Sequence, residues 1–205
     1  MKLNLIDFDD TLCFTNQALF EAYEIAFRNI AKIELPKRLW MKHFGKSHIE
    51  IGKALGIKDH TLLKKVHKKK YEIYPFDFID KIKINKNLCK QFTFDATTEI
   101  NVIVTNTSYH TVDNILEYLK FPKEYIECVV SASECNKKKP SPQLYLTAYY
   151  RMKEDYDCIE SVNIYEDSYV GLKSAIKMFN IIKDDHCEKT LFAVDNSIIR
   201  PIEWR

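Results

Sequence analysis

Hydrophobic and polar positions change their spacing twice along this chain of 205 residues, and the changes divide it. At the start, Leu3-Asn4-Leu5-Ile6 is a short apolar segment of strand length that runs into Asp7-Phe8-Asp9-Asp10-Thr11-Leu12, where three carboxylates fall within four positions. A buried strand ending in an acidic turn is predicted. From Asn16 to Ala31 the spacing becomes helical: Leu19, Phe20, Tyr23, Ala26, Phe27 and Ile30 recur at intervals of three and four, with Thr15 or Asn16 as N-cap. Pro36 interrupts this pattern. A short helix is predicted from Arg38 to Phe44, ended by Gly45, and another from a Ser47 cap through Ile49, Ile51, Ala54 and Leu55 to Gly56. A fourth helix covers about Asp59 to Tyr74 and stops at Pro75. Ile79–Leu88 is read as one more, leading back toward the core.

The strand signal returns at Ile100-Asn101-Val102-Ile103-Val104, which closes on Thr105-Asn106-Thr107-Ser108. Helices about Thr111–Lys120 and around Leu144-Tyr145-Ala148-Tyr149, strands at Ile126–Ala132 and Ser161–Tyr165, a helix Gly171–Phe179 and an apolar segment near Thr190–Val194 complete the alternation. Strands alternating with helices predict a Rossmann-like, doubly wound parallel α/β sheet. The helical stretch interrupts it after its first strand. We therefore expect a core of residues 1–13 and 94–205 with an inserted helical cap of residues 14–93.

Charge sharpens this division. The net charge is only +2, but residues 14–93 hold 17 Lys and Arg against 8 Asp and Glu, so the rest of the chain is acidic. Lys64, Lys65, Lys68, Lys69 and Lys70 crowd one helix with no interleaved aromatic platform, which argues for a solvated face and against a nucleic-acid partner. Cys13, Cys89, Cys128, Cys135, Cys158 and Cys187 show no metal-ligand spacing, and no N-terminal apolar leader is present. The expectation is free thiols in a cytoplasmic protein without a membrane span.

Carboxylates as crowded as Asp7, Asp9 and Asp10 repel one another unless a cation lies among them, and a divalent metal at the carboxyl end of a strand is the simplest resolution. Further polar groups close later strands: Thr105 and Asn106, then Lys139 within Lys137-Lys138-Lys139-Pro140-Ser141-Pro142, then Glu166-Asp167-Ser168-Tyr169-Val170-Gly171. Taken in this order with Asp7-Phe8-Asp9-Asp10-Thr11-Leu12, they resemble the four motifs of the haloacid dehalogenase superfamily. The wording is similar to that of members with a helical cap after the first motif, of phosphoglycolate phosphatase or β-phosphoglucomutase type. Among the three lysines, the match to the family's Lys-Pro pair is what selects Lys139. The resemblance implies a Mg²⁺-dependent phosphoric monoester hydrolase acting on a small phosphorylated metabolite. It implies Asp7 as nucleophile, Asp9 as general acid and base, and Thr105, Asn106 and Lys139 as phosphoryl ligands. Asp7, Asp9 and Asp167 would hold the metal, with Glu166 as a further ligand or an acceptor behind them. Lys46, in the loop Gly45-Lys46-Ser47-His48, is the candidate substrate contact from the cap.

Three departures are visible: Asp10 stands where glycine is common in this group, Lys138 where glycine often precedes the motif lysine, and Phe14 where many similar phosphatases carry an acidic residue. A phosphomutase of the β-phosphoglucomutase type is the alternative reaction. A non-catalytic protein or nucleic-acid binding module on the same fold is the alternative class, and the intact carboxylates and lysine argue against it.

Overall fold

The structure, a computed structural model, describes residues 1–93, 95–183, 186–196 and 198–204. Residues 94 and 205, which bound the second core segment in the sequence-based division, lie outside the described residues. Two compact units are found, one of Met1–Phe14 with Ile84–Arg205 and one of Thr15–Lys83.

The first unit is built on a six-stranded sheet of β1 (Lys2–Ile6), β2 (Glu99–Thr105), β3 (Cys128–Ser131), β4 (Ser161–Glu166), β5 (Glu188–Asp195) and β6 (Ile198–Ile202). Their order across the sheet is β3-β2-β1-β4-β5-β6. All neighbours are parallel except β5 and β6. The first strand is thus central, paired to β2 on one side and β4 on the other, and a strand so placed has to be apolar on both faces. Leu3 and Leu5 join Val102, Val104, Val162 and Ile164 in a core shared with Leu144, Ala148, Ala175 and Phe179 of the helices α7 (Gln143–Asp155) and α8 (Tyr169–Ile181).

On alternate positions a different device operates. Asn4 is in register with Asn101 and with Asn163, and the three side chains form a chain of amide bonds, Asn4 Nδ2 to Asn101 Oδ1 at 2.9 Å and Asn163 Nδ2 to Asn4 Oδ1 at 3.2 Å. Slipping any of these strands by one residue would send its amide to the opposite face, so the chain of bonds specifies register.

Helix α6 (Tyr109–Tyr118) starts where the Ser108 hydroxyl accepts a hydrogen bond from Thr111 N–H. Two expectations fail here. The helix foreseen over Ile79–Leu88 is instead a 3₁₀ segment, Phe76–Lys81, an extended stretch, and the short helix α5 (Lys86–Cys89). The reason is local: Asn85 N–H donates to Leu12 carbonyl and its side chain caps Leu88 N–H, so the chain cannot continue a helix through it. Strand β6 was not foreseen, because Ile198-Ile199-Arg200-Pro201-Ile202 carries a proline and alternates poorly; as an antiparallel edge strand it tolerates both.

The second unit holds α1 (Asn16–Ala26), extended by a π-helical turn Phe27–Ala31, then α2 (Lys37–His43), α3 (His48–Ala54), α4 (His60–Ile73) and the 3₁₀ segment Phe76–Lys81. Trp40 anchors its core against Phe20, Tyr23 and Phe44, and its indole N–H donates to Asn16 Oδ1 at 2.9 Å. Ser47 and Glu50 form a reciprocal cap at the start of α3. Gly52 lies so close to the Leu63 side chain that a Cβ there would sit 2.1 Å from it. No described helix is long and apolar enough to cross a membrane.

Candidate active site

Strand β1 stops at Ile6, and the next residues curl rather than continue the strand. Asp7 N–H still donates to Tyr165 carbonyl (3.0 Å), but Leu12 N–H then returns to Asp7 carbonyl (3.3 Å), Cys13 N–H to Phe8 carbonyl (2.9 Å), and Asp10 N–H donates to Cys13 carbonyl (2.7 Å). Asp10 takes φ +57°, a left-handed conformation that aspartate tolerates better than most side chains, which explains how it replaces a glycine. The relative placement of Asp7 and Asp9 is therefore set by this turn and not by strand alternation. The Asp9 carboxylate receives the Thr107 hydroxyl at 2.5 Å.

Lys139 is the hub of the site. Its ammonium reaches Asp7 Oδ1 at 2.6 Å, Glu166 Oε1 at 2.5 Å, Val104 carbonyl at 2.7 Å and Tyr145 hydroxyl at 3.0 Å. It is buried, whereas Lys137 and Lys138 are exposed. The Asn106 carboxamide clamps the backbone of Lys139 from both sides, accepting from its N–H (2.9 Å) and donating to its carbonyl (3.4 Å). Ser174 and Lys177 of α8 donate to Ser141 and Pro140 carbonyls and fix the rest of the loop.

Glu166 is fully buried and engaged on both oxygens: Oε1 accepts from Lys139 and the Tyr145 hydroxyl (2.8 Å), Oε2 from Ser168 N–H (3.4 Å) and Ser168 Oγ (3.2 Å). Ser168 also caps α8 by accepting from Gly171 N–H. At Gly171 an added Cβ would fall 1.9 Å from the Glu166 carboxyl. The Glu-Asp-Ser-x-x-Gly wording thus has a steric content: the serine starts the helix, and the glycine makes room for the glutamate.

The electrostatics are those of too many carboxylates for one ammonium. Burial, then Glu166, push the Asp7 carboxyl up to about 8, against the lowering effect of Lys139. Burial, followed by Asp7, Glu166 and Asp10, raises Asp167 to about 9. Burial pulls the Lys139 ammonium down, yet the Asp7 and Glu166 carboxylates outweigh it and hold the ammonium above its ordinary value. Asp7, Glu166 and Asp167 offer oxygen atoms within 4.8 Å of one another, a donor set without nitrogen or sulfur that fits a hard divalent cation such as Mg²⁺.

The structure brings together Asp7, Asp9, Thr105, Asn106, Lys139, Glu166 and Asp167 at the carboxyl ends of β1, β2 and β4 and in the loop after β3. Thr105 is buried and its hydroxyl accepts from Thr107 N–H at 3.0 Å, which leaves the hydroxyl hydrogen unused by that bond. Asn106, expected to offer its amide to a phosphoryl group, gives one amide hydrogen to the Lys139 carbonyl. Lys46 belongs to the other unit, exposed in the turn between α2 and α3. Three contributors escaped the sequence reading. Tyr145 was counted only as part of an apolar helix stripe, and Thr107 lies two residues beyond Thr105. Thr11, whose hydroxyl donates to Asp167 Oδ1 at 3.2 Å, was visible only as a letter of the first motif.

A mostly parallel α/β sheet whose central strand runs into an aspartate bound to a buried lysine, beside further carboxylates, marks the class of protein that fold and site define. A sequence profile described as haloacid dehalogenase-like hydrolase matches residues 5–180, and the chain belongs to that family. An Arabidopsis thaliana bifunctional riboflavin kinase/FMN phosphatase is 27% identical over 213 residues, covering 98% of this chain and 55% of the plant protein. The chain thus spans about half the length of that curated relative. Among solved structures, CbbY from Rhodobacter sphaeroides in complex with phosphate superposes with TM-score 0.72 at 16% identity, covering 96% of this chain and 87% of that one. A Lactobacillus plantarum protein assigned as a phosphoglycolate phosphatase gives TM-score 0.71 at 18% identity, with 93% and 84% covered. At these identities the two structures show the fold.

Proposed function

We propose that the chain is a Mg²⁺-dependent phosphatase that hydrolyses a small phosphorylated metabolite, of sugar phosphate, nucleotide or phosphoglycolate type, through a phosphoryl group carried transiently on Asp7. The observation that carries the reading is the buried Lys139 ammonium, 2.6 Å from Asp7 and 2.5 Å from Glu166. A phosphate monoester is an anion and is repelled by a carboxylate, so a nucleophilic aspartate works only where fixed positive charge offsets both. Lys139 supplies one such charge. Mg²⁺ would be held by Asp7, Asp167 and the Asp9 backbone carbonyl with Glu166 behind them, and when bound it would neutralise the phosphoryl oxygens and keep Asp7 ionised.

In the first half of the reaction a carboxylate oxygen of Asp7 attacks phosphorus, the ester oxygen leaves, and Asp9 gives that oxygen a proton. In the second, Asp9 takes a proton from water, the water oxygen attacks phosphorus, and Asp7 is released with inorganic phosphate. Thr107 orients Asp9 for both transfers, Thr105 donates its hydroxyl hydrogen to the phosphoryl group, and Asn106 serves by holding the Lys139 loop. We assign Lys46, from the basic unit, to substrate selection, and a cytoplasmic site of action to the protein, a reading supported by six free cysteines.

The relatives order the screen. One is named for FMN phosphatase activity, and CbbY was also solved with xylulose-1,5-bisphosphate, so phosphate monoesters of sugars and of FMN come first. Purified protein with Mg²⁺ should release inorganic phosphate from at least one of them. Asp7→Asn should leave less than about one per cent of that rate, since removal of an essential nucleophile costs several orders of magnitude. A higher residual rate would overturn the role of Asp7. Lys46→Ala should raise KM for the preferred substrate by about tenfold and leave turnover of a small aryl phosphate unchanged. Equal effects on both substrates would return Lys46 to the solvated surface.

A further inference from the structure

Asn85 is fully buried and is the second residue after the chain re-enters the first unit, and no step above uses it. Its contacts are unusually complete for one side chain. Both amide hydrogens are donated, one to Thr11 carbonyl at 3.0 Å and one to Asn196 carbonyl at 2.9 Å, while Oδ1 accepts Leu88 N–H at 3.1 Å. The backbone N–H adds a bond to Leu12 carbonyl at 2.8 Å. A helix cap explains the bond to Leu88, and aspartate or serine would serve that purpose equally well. It does not explain the two donors, which an aspartate would replace with an oxygen facing two carbonyls.

The donors act on the loop that carries Asp7 and Asp9. Asn85 grips Thr11 and Leu12 through their carbonyls, and Thr11 in turn donates its hydroxyl to Asp167 Oδ1 at 3.2 Å. The carboxylate that would hold the cation is therefore oriented by a hydroxyl whose own backbone is pinned by Asn85. The same amide ties in the turn between β5 and β6 through Asn196, which holds φ +53°. Three segments far apart in sequence meet on one side chain.

We propose that Asn85 is a positioning residue for the cation site, fixing the Thr11–Leu12 backbone so that the Thr11 hydroxyl sets the orientation of Asp167. The inference rests on the functional reading above. Hydrogen-bond partners behind a metal ligand are worth about 10- to 100-fold in metal affinity, and Asn85 falls one bond further out, at the lower end of that range.

Calorimetric titration of the protein with Mg²⁺ alone, in the absence of substrate, tests it. Asn85→Ser keeps an acceptor for the α5 cap but lacks the two amide donors, and should weaken Mg²⁺ binding by roughly tenfold. The KM for substrate at saturating Mg²⁺ should stay within about twofold, a split that general loss of structure does not produce. Folded Asn85→Ser that binds Mg²⁺ as the unsubstituted protein does would overturn the proposal. If that variant does not fold, Thr11→Val breaks the chain at its other link: comparable weakening supports the proposal, and unchanged binding overturns it. Where both variants fold, the double variant should be no weaker than Thr11→Val, because one route is removed twice; additive losses would overturn the inference. Absence of any Mg²⁺ binding by the unsubstituted protein would instead overturn the functional reading together with this one.

Discussion

Gly171 shows how single positions here are decided by contact rather than by propensity. It lies in the first turn of α8, where alanine would be favoured over glycine by about 0.5–1 kcal/mol on helix propensity alone. Against that, the new methyl carbon would meet the Glu166 carboxyl at 1.9 Å, and Glu166 cannot yield without releasing Lys139, Tyr145 or Ser168. Overpacking of this kind costs about 1–3 kcal/mol, so the clash wins. Gly171→Ala should lower stability by about 1 kcal/mol or more and reduce phosphate release at least tenfold, measured by denaturant unfolding and by turnover on the same preparation. A stabilised, fully active variant would show that Glu166 has another place to go. The identities of Asp7, Asp9, Lys139, Glu166 and Asp167 were legible in the sequence. Tyr145 and Asn85 were not, since a tyrosine on an apolar helix face and an asparagine before a short helix have ordinary structural explanations until their partners are seen.

Among the elements, β2 repeats the lesson at larger scale. All seven of its residues are buried, including Glu99 at its start, and a buried glutamate in a strand requires compensation. It is paired with Lys2, directly opposite on β1, and its Oε2 accepts Thr93 N–H at 2.7 Å. Burial alone would raise its carboxyl; Lys2 and the Thr93 N–H overcome this and hold it below the usual 4.5. A depressed carboxyl stabilises the fold above its unfolded value and loses that contribution as pH falls through the folded one. Glu99→Gln should therefore cost about 1–3 kcal/mol at neutral pH, with the difference from the unsubstituted protein shrinking as the pH is taken below 4.5. A pH-independent difference would locate the loss in packing instead of charge. Strands β1, β2 and β4 and the capped helices followed their residue patterns, whereas α5 and β6 did not, because each depends on a partner distant in sequence: Asn85 on Leu12, and Ile198–Ile202 on β5.

For the molecule as a whole, the buried acidic cluster makes stability a function of pH, and under the proposed function of the cation as well. Asp7 and Asp167 titrate near 8 and 9 in the folded protein against an ordinary 3.8, so the folded state holds more protons than the unfolded chain across that interval. The sign follows: without metal, these groups favour the fold at low pH and their contribution is lost as pH rises from about 4 toward 9. Under the proposed function, Mg²⁺ held by the ionised carboxylates would oppose the loss. The Tm difference between protein with excess Mg²⁺ and protein with chelator should widen steadily between about pH 6 and pH 9. A constant difference would mean that the cation binds away from Asp7 and Asp167.

Residue order alone determined the alternation of strands and helices, the interruption by a helical segment after the first strand, and the four acidic, hydroxyl and basic motifs that mark the family. These are local properties: side-chain periodicity, caps and the chemistry of short runs are written in adjacent letters. The tertiary structure decided which strands are neighbours, and so which motif ends meet. It put β1 between β2 and β4, curled residues 7–13 into a turn, buried Lys139 among Asp7, Glu166 and Tyr145, and joined Thr11 to Asp167 across 156 residues of sequence. Contacts over such separations depend on the register of the sheet and on burial, and neither is a property of any stretch of sequence taken by itself.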